Sequence, residues 1–142
     1  MSKPRIDVLL PVFNGEAFLL PQVDSILAQT GVEVRLLILD DGSTDGSSSV
    51  IEQLSGSDSR IDVVPSEGNV GHTAAILDLL GRVQAPFFAL SDQDDIWNTD
   101  KLSRSLECLG DHGLLAYSDV VLIDSAGTTI TNSYWRSRGL VK

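Results

Sequence analysis

The sequence is poor in cysteine and in positive charge, and it has no long apolar run. A single Cys108 in 142 residues excludes an intrachain disulfide framework and a cysteine-based zinc site, and it suits a reducing compartment. No stretch approaches the roughly 18 to 20 uninterrupted apolar residues that a membrane-spanning helix needs. The opening MSKPRID passes directly into a short apolar segment rather than a secretory leader, so a cytoplasmic protein is the expectation. Ten basic residues stand against 20 acidic ones, a net charge of −10. That deficit argues against nucleic acid as a partner, because phosphate neutralisation needs a basic face. There is no internal repeat. What is present is 42% hydrophobic residues, enough for one domain with a real core.

The acidic excess is localised. Between Leu36 and Asp100 there are 12 acidic residues and two basic ones, Arg60 and Arg82, so this stretch carries the whole net charge, and the remainder is balanced at eight against eight. Two tight clusters, Asp40-Asp41 and Asp92-Gln93-Asp94-Asp95, each follow an apolar run directly. Solvated surface charge is normally interspersed, and these clusters are not.

Residues 6–13 (IDVLLPVF) are an apolar run ended by Asn14-Gly15, which predicts a buried strand. Residues 16–29 put Leu19, Val23, Ile26 and Leu27 on one helical face, with Pro21 as the place where the helix begins or kinks. A second strand over 34–39 runs into Asp40-Asp41-Gly42-Ser43, and a short helix over 47–54 follows. A third strand over 61–64 stops at Pro65, and a helix opens at Asn69-Val70-Gly71 and runs to about Val83. A fourth strand over 86–90 delivers the second acidic cluster, and Thr99 can cap a helix carrying Leu102, Leu106 and Leu109. Residues 114–123 and 128–130 suggest a hairpin around Asp124-Ser125-Ala126-Gly127, while 131–142 shows no periodicity. Alternating strands and helices imply a mostly parallel sheet with helices on both faces. Ligands in such sheets bind beyond the carboxyl ends of the strands, where both clusters fall.

Carboxylates as close as Asp92, Asp94 and Asp95 repel one another unless a cation or hydrogen-bond donors compensate. Hard oxygen ligands select Mg²⁺ or Mn²⁺, and one or two carboxylates plus substrate phosphates form a usual shell for such ions. The Asp-x-Asp spacing lets two side chains face one ion while the residue between them points elsewhere. The same pattern also describes a polar loop capping the helix near Asp100. Asp40-Asp41 reads either as an Asx-turn starting the next helix or as an acceptor for a base N–H or a ribose hydroxyl. Phe13 is either core or the stacking wall of a nucleobase pocket.

Four elements in order, Leu10-Pro11-Val12-Phe13-Asn14-Gly15, Asp40-Asp41-Gly42-Ser43-Thr44-Asp45, Asn69-Val70-Gly71 and Ser91-Asp92-Gln93-Asp94-Asp95-Ile96-Trp97, resemble the nucleotide-sugar-binding half of the family 2 glycosyltransferases. The last of them, with Tyr117-Ser118-Asp119, Ile123-Asp124 and Ser133-Tyr134-Trp135-Arg136, is most similar to the rhamnosyltransferase-like branch. The match covers nearly the whole chain.

The resemblance implies an α/β, GT-A (Rossmann-like) fold with a mostly parallel sheet flanked by helices and a C-terminal hairpin, truncated relative to full-length members. Residues 1–130 would be the nucleotide-sugar-binding domain and 131–142 the start of an acceptor-side region. Pro11 and Phe13, the latter in place of the commoner Tyr, would line the base pocket beside Asn14. Asp40 would hydrogen-bond the pyrimidine, and Asp41 would support the loop. Asn69 would shape its turn, and Gly71 would allow close packing beside the nucleotide. Asp94 would be the principal ligand of Mg²⁺ or Mn²⁺, Asp92 would reach the ribose or the metal, and Asp95 would approach the sugar or the metal shell. Glu67-Gly68 stands where the family often has a basic residue, and His72 is either a diphosphate donor or simply exposed.

The expected reaction is inverting transfer by a hexosyltransferase-type enzyme, of rhamnose from dTDP-rhamnose or of a sugar from a UDP-sugar, to a saccharide acceptor of a cell-surface polysaccharide. Its general base is expected beyond Lys142. Tyr134, Trp135, Arg136 and Arg138 suggest peripheral membrane or partner contact, or a tail without its packing neighbours. Two other classes are a non-catalytic nucleotide-sugar-binding module and a receiver-type signalling domain. The latter needs its acidic pair after the first strand, whereas here the pair follows the second.

Overall fold

A computed structural model describes residues 2–141. The first apolar run forms β1 (Arg5–Val12), buried from Ile6 onward. It pairs in parallel on one side with β2 (Glu33–Asp40) and on the other with β4 (Phe87–Leu90), and β2 pairs in parallel with β3 (Ile61–Val64), giving the order β3-β2-β1-β4. Continuous rather than alternating hydrophobicity in β1 and β2 follows from burial on both faces. On one face Leu9, Leu37, Leu39 and Val64 pack with Ala75 and Leu79 of α3 (His72–Leu80). On the other face lie Val8, Leu10, Leu36 and Ile38, and α1 (Glu16–Leu27) and α2 (Ser47–Ser57) bury Leu19, Val23, Ile26, Ile51 and Leu54. The chain crosses the sheet from β1 to β3 and then returns past β1 to β4, so the strand order reverses between β1 and β4. A crevice at the carboxyl ends is the expected consequence of that reversal.

Pro21 neither starts nor ends α1. The helix begins at Glu16, with Gly15 O accepting from the N–H groups of Phe18 and Leu19, and Pro21 lies inside it. As the sixth residue of the helix it lies past the first-turn donors, so Ala17 O forgoes its helical N–H, on the exposed side of the helix. α1 also buries polar residues, Gln22 and Ser25 within the helix and Gln29 just after it. The third helix is shorter than the periodicity predicts, ending at Leu80 with a turn through Val83. β4 departs from the expectation of a buried strand, since it is the edge of the sheet and Phe88 and Leu90 are half exposed. At the opposite end from the crevice, buried Asp7 receives a two-pronged contact from Arg35 Nε and Nη2 and the N–H groups of Gln84 and Ala85. These bonds set the turn that leads into β4.

The chain divides into two compact units, Met1–Ser103 and Arg104–Lys142, and the partition falls within α4 (Lys101–Leu109). In the second unit the hairpin is smaller than predicted. Among the described residues of this unit only β5 (Leu122–Ile123) and β6 (Thr129–Thr131) pair, antiparallel, around a turn in which Asp124 Oδ1 accepts from the N–H groups of Ala126 and Thr128. Residues 114–121 find no partner strand, and Leu114, Leu115 and Tyr117 are exposed. The aperiodic tail contains a single turn, α5 (Tyr134–Ser137), capped by Ser133 Oγ accepting from Arg136 N–H. No helix among the described residues is long and apolar enough to cross a membrane.

Candidate functional site

Three loops leave the carboxyl ends of β1, β2 and β4 and are laced together by side chains. Asn14 Oδ1 accepts from Thr44 N–H, while Ser43 Oγ accepts from Asn14 N–H. Glu16 accepts from Gly46 N–H, and Asp45 accepts from Glu16 N–H. Ser47 Oγ accepts from Gly15 N–H and donates to Asp45. That Ser47 hydroxyl, against slight desolvation and helped by the N–H groups of Ser47 and Glu16, holds the Asp45 carboxyl below its ordinary value. Asn14 reaches φ +52°, a left-handed turn that asparagine tolerates better than most residues. The Ser, Gly and Asp residues of this region are therefore a set of loop-to-loop fastenings.

Between these loops lies a crevice of about 480 Å³ lined by Pro11, Val12, Phe13, Asp41, Asn69, Gly71, His72, Asp92, Gln93 and Asp94. Pro11 and Val12 are buried, and the ring of Phe13 is 45% exposed at the wall, an apolar surface open to a flat ligand. Asp41, 3% exposed, accepts from Val70 N–H at 2.7 Å and from Gly71 N–H at 2.8 Å, one bond to each carboxylate oxygen. Its own N–H extends the β1 ladder to Val12 O. Asp41 thus shapes the 68–71 turn that forms the crevice wall. Gly42 allows this approach: its φ is +78°, and a Cβ there would lie 2.9 Å from Asn69 N.

Asp40 takes no part in lining the crevice. Its Oδ1 accepts from Ser43 N–H and its Oδ2 from the Ser48 hydroxyl, so it folds the turn after β2 and ties it to the first turn of α2. Asn14 likewise fastens loops instead of facing the crevice. Asp95 lies outside the lining as well; partial desolvation, with the charge of Asp92 adding to it, raises its carboxyl above the ordinary value despite the opposing pull of Lys101. Trp97 behind it is 5% exposed and anchors the loop, its N–H donating to Ser25 Oγ and its ring lying 4.9 Å from Lys101 Nζ.

Of the residues singled out in the sequence, the structure brings Pro11, Phe13, Asp41, Asn69, Gly71, His72, Asp92 and Asp94 to one crevice, and it adds Val12 and Gln93. Gln93 has a sequence signal: it is the residue between two aspartates that must point away from them. His72, which reads in the sequence as either a diphosphate donor or simply exposed, is exposed at the start of α3 and part of the lining.

The donor chemistry fits a hard divalent cation. Asp92 and Asp94 are exposed and line the crevice together, and neither carboxylate accepts a hydrogen bond from the described residues. Among the described residues no group of three or more His, Cys, Asp or Glu is gathered as a metal cage. Mg²⁺ and Mn²⁺ need no such cage when water and phosphate oxygens complete the shell.

A family model described as Glycosyl transferase family 2 matches residues 7–140. TuaG of Bacillus subtilis, whose name links it to teichuronic acid biosynthesis as a glycosyltransferase, is 37% identical over 105 residues, 74% of this chain and 42% of that protein. The dTDP-rhamnosyl transferase RfbG of Shigella flexneri is 30% identical over 118 residues, 80% of this chain and 41% of its own length. The chain therefore spans about two fifths of these relatives. Among solved structures, the mannosyltransferase PcManGT of Pyrobaculum calidifontis in complex with GDP-Man and Mn²⁺ superposes with a TM-score of 0.76 at 22% identity, over 86% of this chain and 37% of that one. TarS of Staphylococcus aureus in complex with UDP superposes with a TM-score of 0.67 at 22% identity, over 76% of this chain and 32% of that one.

Proposed function

The chain belongs to glycosyl transferase family 2 and carries part of the GT-A fold, and on that premise we propose that its crevice binds the nucleoside diphosphate sugar donor. One observation carries the reading: an apolar wall at Phe13 and Pro11 and two exposed carboxylates, Asp92 and Asp94, line the same opening at the reversal of strand order. The base would lie against Phe13, with the diphosphate toward Asp92 and Asp94. A divalent ion held by those two carboxylates would supply Lewis-acid stabilisation of the departing diphosphate. The names of the relatives support glycosyl transfer in general, and the RfbG likeness supports rhamnose from dTDP-rhamnose as the donor; the acceptor in this reading is a cell-surface saccharide.

Within the crevice no carboxylate is left over to deprotonate an acceptor hydroxyl. Asp41 is committed to two N–H groups, and Asp92 and Asp94 belong to the diphosphate side. The general base is therefore not one of the carboxylates that line this crevice. This same observation favours, as a second reading, a module that binds the donor without transferring it.

Calorimetry on the folded 142-residue chain tests the proposal. Binding of dTDP or UDP should strengthen at least about tenfold when Mn²⁺ or Mg²⁺ is added. A chain folded by circular dichroism that binds neither nucleotide with either metal would refute it.

A further inference from the structure

Gly15 has φ −108° and ψ 13°, a conformation open to any residue, so backbone freedom does not account for a glycine there. Space does. A Cβ on Gly15 would lie 2.6 Å from Gln93 Oε1 and 2.8 Å from Gln93 Cδ. The room that Gly15 leaves is filled by the Gln93 carboxamide, which crosses from the acidic loop to the end of β1. Phe13 N–H donates to Gln93 Oε1 at 2.9 Å, and Gln93 Nε2 donates to Phe13 O at 3.0 Å. The side chain imitates a strand neighbour, satisfying both backbone groups of one residue. The flanks of the acidic loop are held separately from α1: Gln22 donates to Ser91 Oγ, Ser25 Oγ accepts from Trp97 N–H, and Gln29 bonds Asn98 O and Leu102 N–H.

We propose that Gln93 is a positioning residue that couples the two halves of the crevice, fixing the Asp92 and Asp94 carboxylates relative to the Phe13 wall so that nucleotide and divalent ion bind each other's site more tightly. The inference rests on the donor-site reading above. Since the bonds go to the Phe13 backbone, they survive changes in its ring, and Gly15 is the second half of the device.

The test uses two variants of the intact chain, Gln93→Met, which keeps volume and charge but makes neither bond, and Gly15→Ala, which displaces the flexible end of Gln93. The quantity read is the ratio of dTDP affinity with Mn²⁺ to that without it. Each variant should lower this ratio by about tenfold, within the usual range of site-to-site coupling. The double variant should be no worse than either single one, and the melting temperature of the unliganded chain should stay close to wild type. A purely structural role would lower the melting temperature and weaken binding equally with and without metal, and that pattern would overturn the proposal. So would a wild-type ratio in Gln93→Met, or losses that add in the double variant. A wild-type chain with no metal enhancement would instead defeat the donor-site reading, and the coupling with it.

Discussion

Replacing Asp94 by alanine is expected to weaken metal-dependent nucleoside diphosphate binding by about a hundredfold, roughly 2.7 kcal/mol. The argument starts from charge. Asp92 and Asp94 face one crevice, and among the described residues neither carboxylate takes a hydrogen-bond donor. A diphosphate entering that space adds further negative charge, so without a cation the carboxylates oppose it. With a divalent ion present the sign reverses, because carboxylates and phosphate oxygens then share one positive centre. Asp94→Ala should therefore lose the gain from Mn²⁺ while leaving metal-free binding unchanged or slightly stronger. Titrations of dTDP with Mn²⁺ and with chelator read both effects. An Asp94→Ala chain that keeps the full metal gain would remove this residue from the metal shell.

Asp41→Ala should act on the fold and the site at once. The carboxylate is buried and accepts two charge-assisted bonds, from Val70 and Gly71 N–H, and it is the fastening between the end of β2 and the turn before α3. Alanine leaves both donors without that partner, at a cost of about 2 to 4 kcal/mol. For a unit of this size that lowers the melting temperature by about 10 °C or more. Asp41→Asn should recover part of the loss, since its oxygen still accepts one N–H while its amide nitrogen opposes the other. Thermal unfolding followed by circular dichroism orders the three chains as wild type, asparagine, alanine. An alanine variant as stable as wild type would contradict the role given to these bonds. Nucleotide binding should fall with the wall of the crevice in the same order.

The sheet was legible in the sequence because its strands are short apolar runs, each closed by a strong turn signal such as Asn14-Gly15 or Asp40-Asp41-Gly42. The crevice was legible because polar clusters at strand ends converge in any doubly wound sheet. The hairpin was legible at its turn but not in its length, since the apolar run 114–121 looks like a strand whether or not a partner exists to pair with it. Nor was the division of labour between Asp40 and Asp41. Adjacent aspartates are chemically alike, and only the three-dimensional course of the loop turns Asp40 toward Ser43 and Ser48 and Asp41 toward Val70 and Gly71. The reason for Gly15 was equally hidden, because it depends on a side chain 78 residues away in sequence.

Where the nucleotide sits is the central claim, and an amide NMR titration of the isotope-labelled chain with dTDP and Mg²⁺ tests it most directly. The largest shifts should fall on the amides of Phe13, Asp41, Gly71, Gln93 and Asp94, around the crevice of the first unit. The shallow hollow of the second unit, lined by Asp119, Thr131, Asn132, Ser133 and Arg136, should stay unperturbed. Shifts concentrated on that hollow, with the crevice amides unmoved at saturating nucleotide, would contradict the account.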